Sequence, residues 1–306
     1  MMAVSIIIPV YNVEPYIAEC LQSVMHQTYQ GPLECILVDD CGTDNSLEII
    51  EKYKNNPHLS QIVVNETNSG STFKQWDKGI GLANGELIWI AESDDYCELN
   101  LLEELIAAYT SRKNVVIAYA PIVYTDEDGK KTGIYSRTGR TQYIKSRSFV
   151  CKYLALDNVI HNASCAVFSK KAALSIDKRY KGFVGVGDWW FWTLIAETGN
   201  IRIVNKHLSY FRRHEGSVTL LRTISGENAI GFKELVDYIF NKYGLPQWRL
   251  DYIRYSSRWL YDTEYVSEEI KKKVYTLWSL DKQYSFFELF AFRVMRYFRR
   301  KKLIYL

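Results

Sequence analysis

Long apolar runs, CxxC pairs and prolines are missing or scarce in this sequence, and each shortage excludes a class of protein. No stretch approaches the about 20 uninterrupted apolar residues that span a bilayer, which excludes an ordinary membrane-spanning helix. The 6 cysteines of the 306-residue chain form no CxxC pair, so we expect reduced, buried thiols without disulfides or a zinc site. With only 6 prolines and 47% hydrophobic residues, the chain is too apolar to stay disordered.

A strong net charge is also absent. The formal net charge is +3 and the isoelectric point is near 8.3, which is too balanced for a general nucleic-acid binder. The first apolar run, residues 4–9, is too short for the core of a signal peptide and no basic segment precedes it. We therefore expect the protein to stay in the cytoplasm.

Short apolar runs alternate with amphipathic stretches up to about residue 120. Such alternation predicts an α/β fold in which a mixed, mostly parallel sheet is flanked by helices. The predicted strands are residues 4–9, 33–39, 61–64, 87–91 and 115–120. The predicted helices between them are residues 16–26, 45–53, 73–83 and 99–110.

The predicted strand at residues 87–91 ends in a cluster of acids, Glu92, Asp94 and Asp95, with Ser93 among them. Open α/β sheets bind ligands at the carboxyl ends of their strands. Neighbouring carboxylates repel one another unless a positive charge lies among them, and oxygen ligands suit Mg²⁺ or Mn²⁺. The cluster therefore indicates a metal-assisted reaction on an anionic substrate. The alternative is that Ser93 and Asp94 only cap the next helix.

Polar residues follow the other predicted strands as well. Asp39 and Asp40 end the second strand, where each can serve simply as a cap or turn former. An aspartate at a strand end can also accept hydrogen bonds from a nucleobase or a ribose, and the ring of Tyr11 can cover the base. Because parallel strands end at one edge of a sheet, we expect these residues to lie beside the acidic cluster.

Two common nucleotide-binding signatures are absent. Gly79, Gly81 and Gly85 nearly reproduce a dinucleotide fingerprint, but its sixth position is Asn84 and the glycines lie at the end of a predicted helix. No GxxxxGK[ST] phosphate loop occurs. The sequence therefore excludes a Rossmann NAD site and a P-loop.

The middle of the chain is predicted to contain a hairpin and a second apolar region. Asp126 to Gly129 form a turn between predicted strands at residues 122–125 and 131–135. A helix near residues 148–156 follows, and then a loop and strand at residues 161–168.

The most aromatic segment, GDWWFW, follows at residues 187–192. Its Asp188 opens a predicted helix, so it is either an N-cap or a general base that the helix dipole keeps ionised. Trp189, Trp190 and Trp192 offer flat faces for sugar rings, although at least one of the three must pack in the core.

The segment RRHEGSVT, residues 212–219, combines two arginines, a histidine and hydroxyls. Such a loop can neutralise a diphosphate and supply His214 to its metal. The alternative is that His214 is an inert surface histidine.

Beyond about residue 225 we predict helices at residues 228–243, 248–261, 268–280 and 285–302. In the last of these, Phe287, Phe290 and Val294 share one face, whereas Arg293 and Arg296 share the opposite face. This pattern is typical of a helix in a membrane interface, with arginines against anionic headgroups. The alternative is a terminal helix docked on the protein.

Taken together, these motifs resemble those of glycosyltransferase family 2 in order and spacing, over about residues 3–220. The segments that carry the resemblance are SIIIPVYN (5–12), VDDCGTDNS (38–46), NSG (68–70), GIGLANGELIWIAESDD (79–95), GDWWFW (187–192) and RRHEGSVT (212–219). The resemblance implies a Rossmann-like GT-A fold and inversion at the anomeric carbon. It also implies a nucleoside-diphosphate-sugar donor, a sugar or lipid-linked acceptor, and Mn²⁺ or Mg²⁺ as cofactor.

The resemblance also implies roles for single residues. Asp188 would be the catalytic base, and Asp94, Asp95 and His214 would contact the metal. The residues predicted to bind the donor are Pro9, Tyr11, Asn12, Asp39, Asp40, Lys74 and Asp94. Those predicted on the acceptor side are His161, Asn162, Trp189 and Trp190.

Three positions depart from the family pattern. Glu92 stands where the acidic motif commonly begins with aspartate, and Gly187 stands where a glutamate commonly precedes the base. Residues 71–78 lack the usual arginine–asparagine pair. Whether Glu92 reaches the site, and which lysine meets phosphate, are therefore open.

The predicted function is that of a metal-dependent inverting glycosyltransferase in the assembly of a bacterial surface polysaccharide or lipopolysaccharide. We predict a nucleotide-sugar-binding half at residues 1–120, an acceptor-binding half at 121–222 and a C-terminal helical extension at 223–306. Two alternatives are a non-catalytic nucleotide-sugar-binding or partner protein of the same fold, and a nucleotidyltransferase. We expect Asp95 to lie outside the core, so that Asp95→Asn leaves the fold intact, and we expect a location at the inner face of the membrane.

Overall fold

A computed structural model describes residues 1–135, 141–183, 185–214, 225–261, 266–280 and 282–300. The chain divides into two compact units. Unit 1 comprises Met1–Ser146, Ile160–Lys181 and Leu194–Glu215. Unit 2 comprises Arg147–Val159, Gly182–Thr193 and Gly216–Leu306. These limits do not coincide with the predicted boundaries after residues 120 and 222.

Unit 1 opens with the predicted alternation of strands and helices. The strands up to residue 120 are β1 (Val4–Val10), β2 (Leu33–Asp39), β3 (Leu59–Val64), β4 (Leu87–Ile90), β5 (Tyr96–Cys97) and β6 (Val115–Tyr119). The helices are α1 (Ile17–Met25), α2 (Ser46–Glu51), α3 (Thr72–Leu82) and α4 (Leu101–Thr110). Every element predicted in this part is confirmed, and only the short β5 was not predicted.

Six further strands complete the two sheets of unit 1. They are β7 (Ile122–Thr125), β8 (Lys131–Tyr135), β9 (Gln142–Ile144), β10 (Ala166–Ser169), β11 (Asn200–Ile203) and β12 (Ser209–Arg212). The eight-stranded sheet has the order β3-β2-β1-β4-β10-β6-β11-β9, and the four-stranded sheet has the order β5-β12-β7-β8. β1 to β4 are parallel, whereas β10 runs antiparallel to both of its neighbours, so the predicted mixed, mostly parallel sheet is confirmed. The predicted hairpin is also present as β7 and β8.

The central strands of the large sheet are apolar and are covered on both faces. β1 is buried along its whole length. The glycines that imitate a dinucleotide fingerprint have packing roles: a Cβ on Gly79 would lie 2.4 Å from Cγ2 of Ile7, and one on Gly85 would lie 2.6 Å from the nitrogen of Ser5. These two glycines therefore let α3 and the following turn approach β1 closely. Five of the six cysteines are buried, and Cys41 is partly exposed.

The parallel strands end at one edge of the sheet, as predicted. The register pairs Val10 with Asp39, and Asp39 with Val64. The N–H of Ala91 bonds to the carbonyl of Ile7 at 2.9 Å, so β4 ends at the same edge. The loops after these four strands therefore lie side by side.

The remaining helices are α5 (Ser146–Phe149), α6 (Lys170–Ser175), α7 (Gly187–Ala196), α8 (Glu227–Tyr243), α9 (Gln247–Tyr261), α10 (Glu268–Trp278) and α11 (Phe286–Arg300). A π-helical turn at Val150–Leu154 continues α5. The core of unit 2 packs around Trp278, whose indole N–H donates to the carbonyl of Ala229 at 3.0 Å. Within the described residues, each helix is too short or too polar to cross a bilayer.

Candidate active site

The acidic turn after β4 holds its two aspartates in different environments. Asp95 is 2% exposed. Its Oδ2 accepts hydrogen bonds from the amide of Asn162 and from Oγ of Ser164 at 2.8 Å, and its Oδ1 accepts one from the backbone N–H of Arg212 at 3.1 Å. Burial, followed by the charge of Asp94, raises the pKa of the Asp95 carboxyl well above its usual range.

The expectation that Asp95 lies outside the core is therefore wrong. Its carboxylate is buried and takes hydrogen bonds from two other parts of the chain, so removing its charge also disturbs the packing around it. Ser164 adds a second link, since its Oγ accepts the backbone N–H of Glu92 at 2.9 Å. Asp95 and Ser164 together fix the shape of the acidic turn.

Asp94 is the more accessible aspartate, with 29% of its side chain exposed. Its Oδ2 lies 3.1 Å from Nε2 of His214, and this hydrogen bond raises the pKa of the imidazole. The ring of His214 also packs against Tyr16, with 5.0 Å between the ring centroids. The structure thus brings together two of the three predicted metal contacts, while the rest of the predicted loop, residues 215–219, lies outside the described residues.

Arg212 does not face a diphosphate as the sequence suggested. Its side chain is 5% exposed and each guanidinium nitrogen donates within unit 1: Nε to the Asp94 carbonyl at 3.0 Å, Nη1 to the Glu127 carbonyl at 2.6 Å, and Nη2 to the carboxylate of Glu19. The guanidinium also lies 4.8 Å from the ring centroid of Tyr16. Arg212 therefore ties the acidic turn to α1 and to the β7–β8 hairpin. Its role as an anchor was missed, because nothing in the sequence separates it from the next arginine.

Arg213 is the exposed member of the pair. Its guanidinium lies 3.9 Å from the ring centroid of Tyr124, and its backbone N–H donates to Thr125 at 2.9 Å. The same tyrosine approaches the predicted acceptor-side residue His161, with 3.3 Å between the hydroxyl and Nδ1.

Glu92 takes a partner that the sequence did not suggest. The indole N–H of Trp76, a buried residue of α3, donates to Oε1 of Glu92 at 3.0 Å. Glu92 therefore links the acidic turn to α3. Asn162, which we predicted on the acceptor side, is buried beside this turn through its bond to Asp95.

The loops after β1 and β2 form the predicted nucleotide side of the edge. Asp39 is buried and its Oδ2 accepts the N–H of Gly42 at 3.3 Å; burial raises the pKa of this carboxyl. Asn12 adopts a φ of 50° and accepts the N–H of Thr43 at 2.7 Å, which ties the two loops together. Tyr11 leaves 48% of its surface exposed beside them. The contacts of Pro9, Tyr11, Asn12 and Asp39 with a donor stay predictions.

Asp40 orders the loop after β3. Its Oδ1 accepts hydrogen bonds from Asn65 at 2.7 Å, from Gln75 at 2.8 Å and from the N–H of Ser69 at 2.9 Å, and its Oδ2 accepts the Ser69 hydroxyl at 2.9 Å. Nζ of Lys74 donates to the carbonyl of Ser69 at 2.9 Å. Asp40 is thus engaged by its own chain, and the predicted donor contacts of Asp40 and Lys74 stay predictions.

Asp188 lies in unit 2, where it is partly exposed. Its Oδ2 accepts the amide of Asn158 at 2.6 Å, and its Oδ1 accepts the N–H of Trp189 at 2.8 Å. Burial raises the pKa of the carboxyl to about 6, against the effect of these two donors. A carboxyl with this pKa is ionised near neutral pH and can still take up a proton, which suits a general base.

The two tryptophans after Asp188 are already packed within unit 2. Trp189 donates its indole N–H to the carbonyl of Leu154 at 2.8 Å and stacks on Phe232 at 4.6 Å. Trp190 is 2% exposed and stacks on Phe183 at 5.4 Å. The expectation that Trp190 stacks on an acceptor is therefore corrected: its ring is part of the core. Trp189 is partly exposed and stays a candidate.

Among the described residues, no group of three or more His, Cys, Asp or Glu side chains is arranged to hold a metal ion. The pair of Asp94 and His214 is the arrangement that comes nearest to the predicted metal contacts.

Two named relatives match about half of this chain or less. Glycosyltransferase GlyG of Streptococcus pneumoniae is 30% identical over 158 residues, which cover 52% of this chain and 49% of GlyG. Poly(ribitol-phosphate) beta-N-acetylglucosaminyltransferase TarS of Staphylococcus aureus is 41% identical over 110 residues, or 35% of this chain and 19% of TarS. The chain therefore spans half or less of the length of these relatives.

The fold is similar to that of solved TarS structures. The crystal structure of TarS 1–349 in complex with UDP-GlcNAc has a TM-score of 0.61 and 24% identity, covering 82% of this chain and 70% of that chain. TarS 1–349 alone gives a TM-score of 0.60 and 22% identity, covering 82% and 69%. At this identity the likeness establishes the GT-A fold only. The sequence profile described as Glycosyl transferase family 2 matches residues 5–176, which is more than half of the chain, and the chain belongs to that family.

Proposed function

We propose that the protein is an inverting glycosyltransferase that moves a sugar from a nucleoside-diphosphate-sugar to an acceptor hydroxyl in the assembly of a cell-surface polysaccharide. The observation that carries this proposal is the ordered acidic turn after β4. Asp95, Ser164 and Arg212 hold the turn from inside, so Asp94 is kept at the sheet edge where the nucleotide loops also end. Membership in glycosyl transferase family 2 and the glycosyltransferase relatives support it.

The donor side is the edge formed by the loops after β1 and β2. The Asp39 carboxylate accepts backbone hydrogen bonds from Gly42, at 3.3 Å, and from Cys41, and its remaining lone pairs can accept N–H groups from a base. The exposed ring of Tyr11 offers a face for stacking. Solved complexes of TarS contain UDP and UDP-GlcNAc, which supports a uridine-diphosphate sugar as the donor here.

Asp94 and His214 are the residues that would hold Mn²⁺ or Mg²⁺. A carboxylate oxygen and an imidazole nitrogen 3.1 Å apart fit an ion that takes its other oxygens from substrate phosphates and water, as such ions often do in phosphate-transfer sites. When bound, the ion offsets the negative charge that develops on the departing diphosphate. Arg212 helps to fix the position of Asp94, because its Nε donates a hydrogen bond to the Asp94 carbonyl.

Asp188 is the proposed general base. It takes the proton of the acceptor hydroxyl as that oxygen bonds to the anomeric carbon. The bond from this carbon to the diphosphate breaks in the same displacement, and the diphosphate leaves with the electron pair. One displacement inverts the configuration at the anomeric carbon. The pKa of about 6 keeps Asp188 ionised at neutral pH before the reaction.

The acceptor class is proposed from the names of relatives. TarS and a Bacillus spizizenii relative, 42% identical over 96 residues, are named for transfer to poly(ribitol-phosphate). We therefore place polyol-phosphate polymers, lipid-linked or free, first among the acceptors to test.

A donor panel tests the proposed function. We would measure the release of nucleoside diphosphate from UDP-, GDP- and dTDP-sugars with Mn²⁺, with Mg²⁺ and with EDTA, and then add poly(ribitol-phosphate). We expect one UDP-sugar to be turned over, with a loss of turnover in EDTA. Asp94→Asn is the matched variant, since it keeps the size of the side chain. If the folded protein neither binds nor turns over any donor of the panel, the proposal is contradicted.

A peripheral membrane contact through α11 is a second part of the proposal. One side of α11 is packed on unit 2: Phe292 is buried in the core, and Leu289 and Met295 are partly buried. This agrees with the alternative given from the sequence, a terminal helix docked on the protein. Its other side carries aromatic residues exposed by 57% or more, namely Phe286, Phe287, Phe290 and Tyr297. In the sequence, no acid follows Glu288, whereas four arginines and two lysines do. Exposed aromatics and an excess of positive charge match an anionic lipid surface.

Co-sedimentation with anionic vesicles tests this contact. The variant carries Phe286→Ser, Phe287→Ser and Phe290→Ser, and the control carries Ile134→Ser and Leu174→Ser, which change exposed apolar residues of unit 1. We expect a loss of binding of about tenfold or more in the variant alone, and weaker binding in high salt. Equal binding by both proteins, or binding indifferent to salt, would assign the exposed face another role.

A further inference from the structure

Asn158 is a residue of unit 2 that no part of the sequence analysis singled out. Its Nδ2 lies 2.6 Å from Oδ2 of Asp188, the proposed base. Its own Oδ1 is buried and, among the described residues, meets no hydrogen-bond donor. Asn158 thus makes its one side-chain hydrogen bond within the described chain to Asp188.

The chemistry of the two side chains fixes this orientation. An ionised carboxylate can only accept hydrogen bonds, so the amide must present its NH₂ group and turn its oxygen away. A bond to a charged acceptor is about twice as strong as a neutral one, which explains why the amide keeps this orientation although its oxygen lacks a donor. The contact is therefore stronger with the ionised form of Asp188 than with the protonated form.

The carboxylate is held at both of its oxygens. The N–H of Trp189 belongs to the backbone of α7 and fixes Oδ1, while Asn158 fixes Oδ2 from a different segment. Because each oxygen accepts a hydrogen bond, rotation of the carboxylate about its terminal torsion breaks at least one of these bonds. The remaining lone pairs then point in constant directions, as a base that must meet a hydroxyl requires.

We propose that Asn158 is the positioning residue of the base: it orients the carboxylate of Asp188 and keeps it ionised between turnovers. This inference rests on the proposed function, because it assigns Asn158 a role through Asp188. The influences on the pKa of Asp188 agree with it. Burial raises the pKa, while the N–H of Trp189, the amide of Asn158 and the N–H of Asp188 itself lower it.

The test is the pH profile of donor turnover in single-residue variants of the 306-residue chain. Asn158→Ala removes the hydrogen bond, and Asn158→Asp keeps the shape but places a second carboxyl beside the base. Lys152→Ala, an exposed change in the same segment, is the matched control. We would follow UDP release from the panel donor that is turned over, from pH 5 to pH 9, and donor affinity by calorimetry.

In the parent protein we expect turnover to rise with pH through about 6, because Asp188 must lose its proton to act. The midpoint of this rise should shift to higher pH by about one unit in Asn158→Ala, because the charge-assisted bond to the ionised form is lost. In Asn158→Asp the shift should be larger, because like charges repel. Turnover in Asn158→Ala should be lower at every pH because the carboxylate is less well oriented, and the loss should be about fivefold greater at pH 6 than at pH 9. Donor affinity should not change.

The outcomes separate the two proposals. If Asp188→Asn keeps its turnover within a few fold, the proposed base is wrong and this inference falls with it. If Asp188→Asn loses turnover while the limb stays in place in both Asn158 variants, this inference alone is overturned. A loss by the same factor at every pH would likewise overturn it, since it would mean that Asn158 only supports the fold.

Discussion

The two adjacent arginines at the end of β12 give the sharpest test of how the acidic turn is held. Arg212 is buried and Arg213 is exposed, although the sequence treats them alike. Replacing each in turn by methionine removes the charge while keeping an unbranched side chain. The two variants are therefore matched in chemistry and differ in what the lost guanidinium touched.

The expected cost follows from the contacts of each residue. Arg212 loses bonds to the Asp94 and Glu127 carbonyls, of 3.0 and 2.6 Å, and bonds from a charged donor contribute about 1.5–3 kcal/mol each. The pair with Glu19 adds little, because that carboxylate is 53% exposed and stays hydrated. We therefore expect Arg212→Met to lower the free energy of unfolding by about 3–5 kcal/mol. Arg213→Met loses a cation–π contact with Tyr124, worth at most about 1 kcal/mol.

Urea unfolding, followed by circular dichroism and fluorescence, measures this difference. Because Arg212 also grips the acidic turn, its variant should bind the donor more weakly at urea concentrations where the protein is folded. Arg213→Met should keep both properties close to those of the parent. If the two variants unfold within about 1 kcal/mol of each other, the bonds of Arg212 do not anchor the turn and the reasoning fails.

Three further outcomes follow from single side chains. Asp94→Asn should abolish the dependence of donor binding on Mn²⁺ and change the free energy of unfolding by less than about 1 kcal/mol, because its side chain is 29% exposed; donor titrations with and without the ion check this. Asp95→Ala should destabilise the protein by about 2–4 kcal/mol, since it leaves three donors without their acceptor, and an unfolding midpoint equal to that of the parent would contradict this. Gly79→Ala should destabilise the protein by about 1–3 kcal/mol, because the added Cβ would lie 2.4 Å from Ile7. Gly81→Ala in the same helix places its Cβ in open space and should stabilise the protein by about 0.5–1 kcal/mol. Thermal unfolding measures both changes.

The fold was predictable because it depends on local patterns. Apolar runs of four to seven residues alternate with amphipathic stretches, and this alternation is sufficient to predict parallel strands joined by helices. The shared edge then follows from geometry, since parallel strands joined by crossovers end on the same side. The predicted neighbourhood of Asp39 and the acidic turn required no knowledge of distant contacts.

The orientation of the site residues was not predictable, because it depends on partners far away in the chain. Asp95 turns inward to meet Ser164 and the Arg212 backbone, which lie 69 and 117 residues further on. Nothing in the local sequence marks Asp95 rather than Asp94 for this role. The same holds for Trp190, whose ring is covered by Phe183 and by Tyr238 of α8.

The position of β10 has a consequence for the order in which the protein can fold. β10 joins β4 to β6 in the middle of the large sheet, and the indole of Trp89 in β4 donates to the carbonyl of Ser164 just before it. When the first 120 residues have left the ribosome, the segments of β4 and β6 are available to fold, but β10, which pairs with both, is not. The nascent chain therefore carries unpaired strand edges until residue 169 has emerged, and a fragment that stops earlier should aggregate.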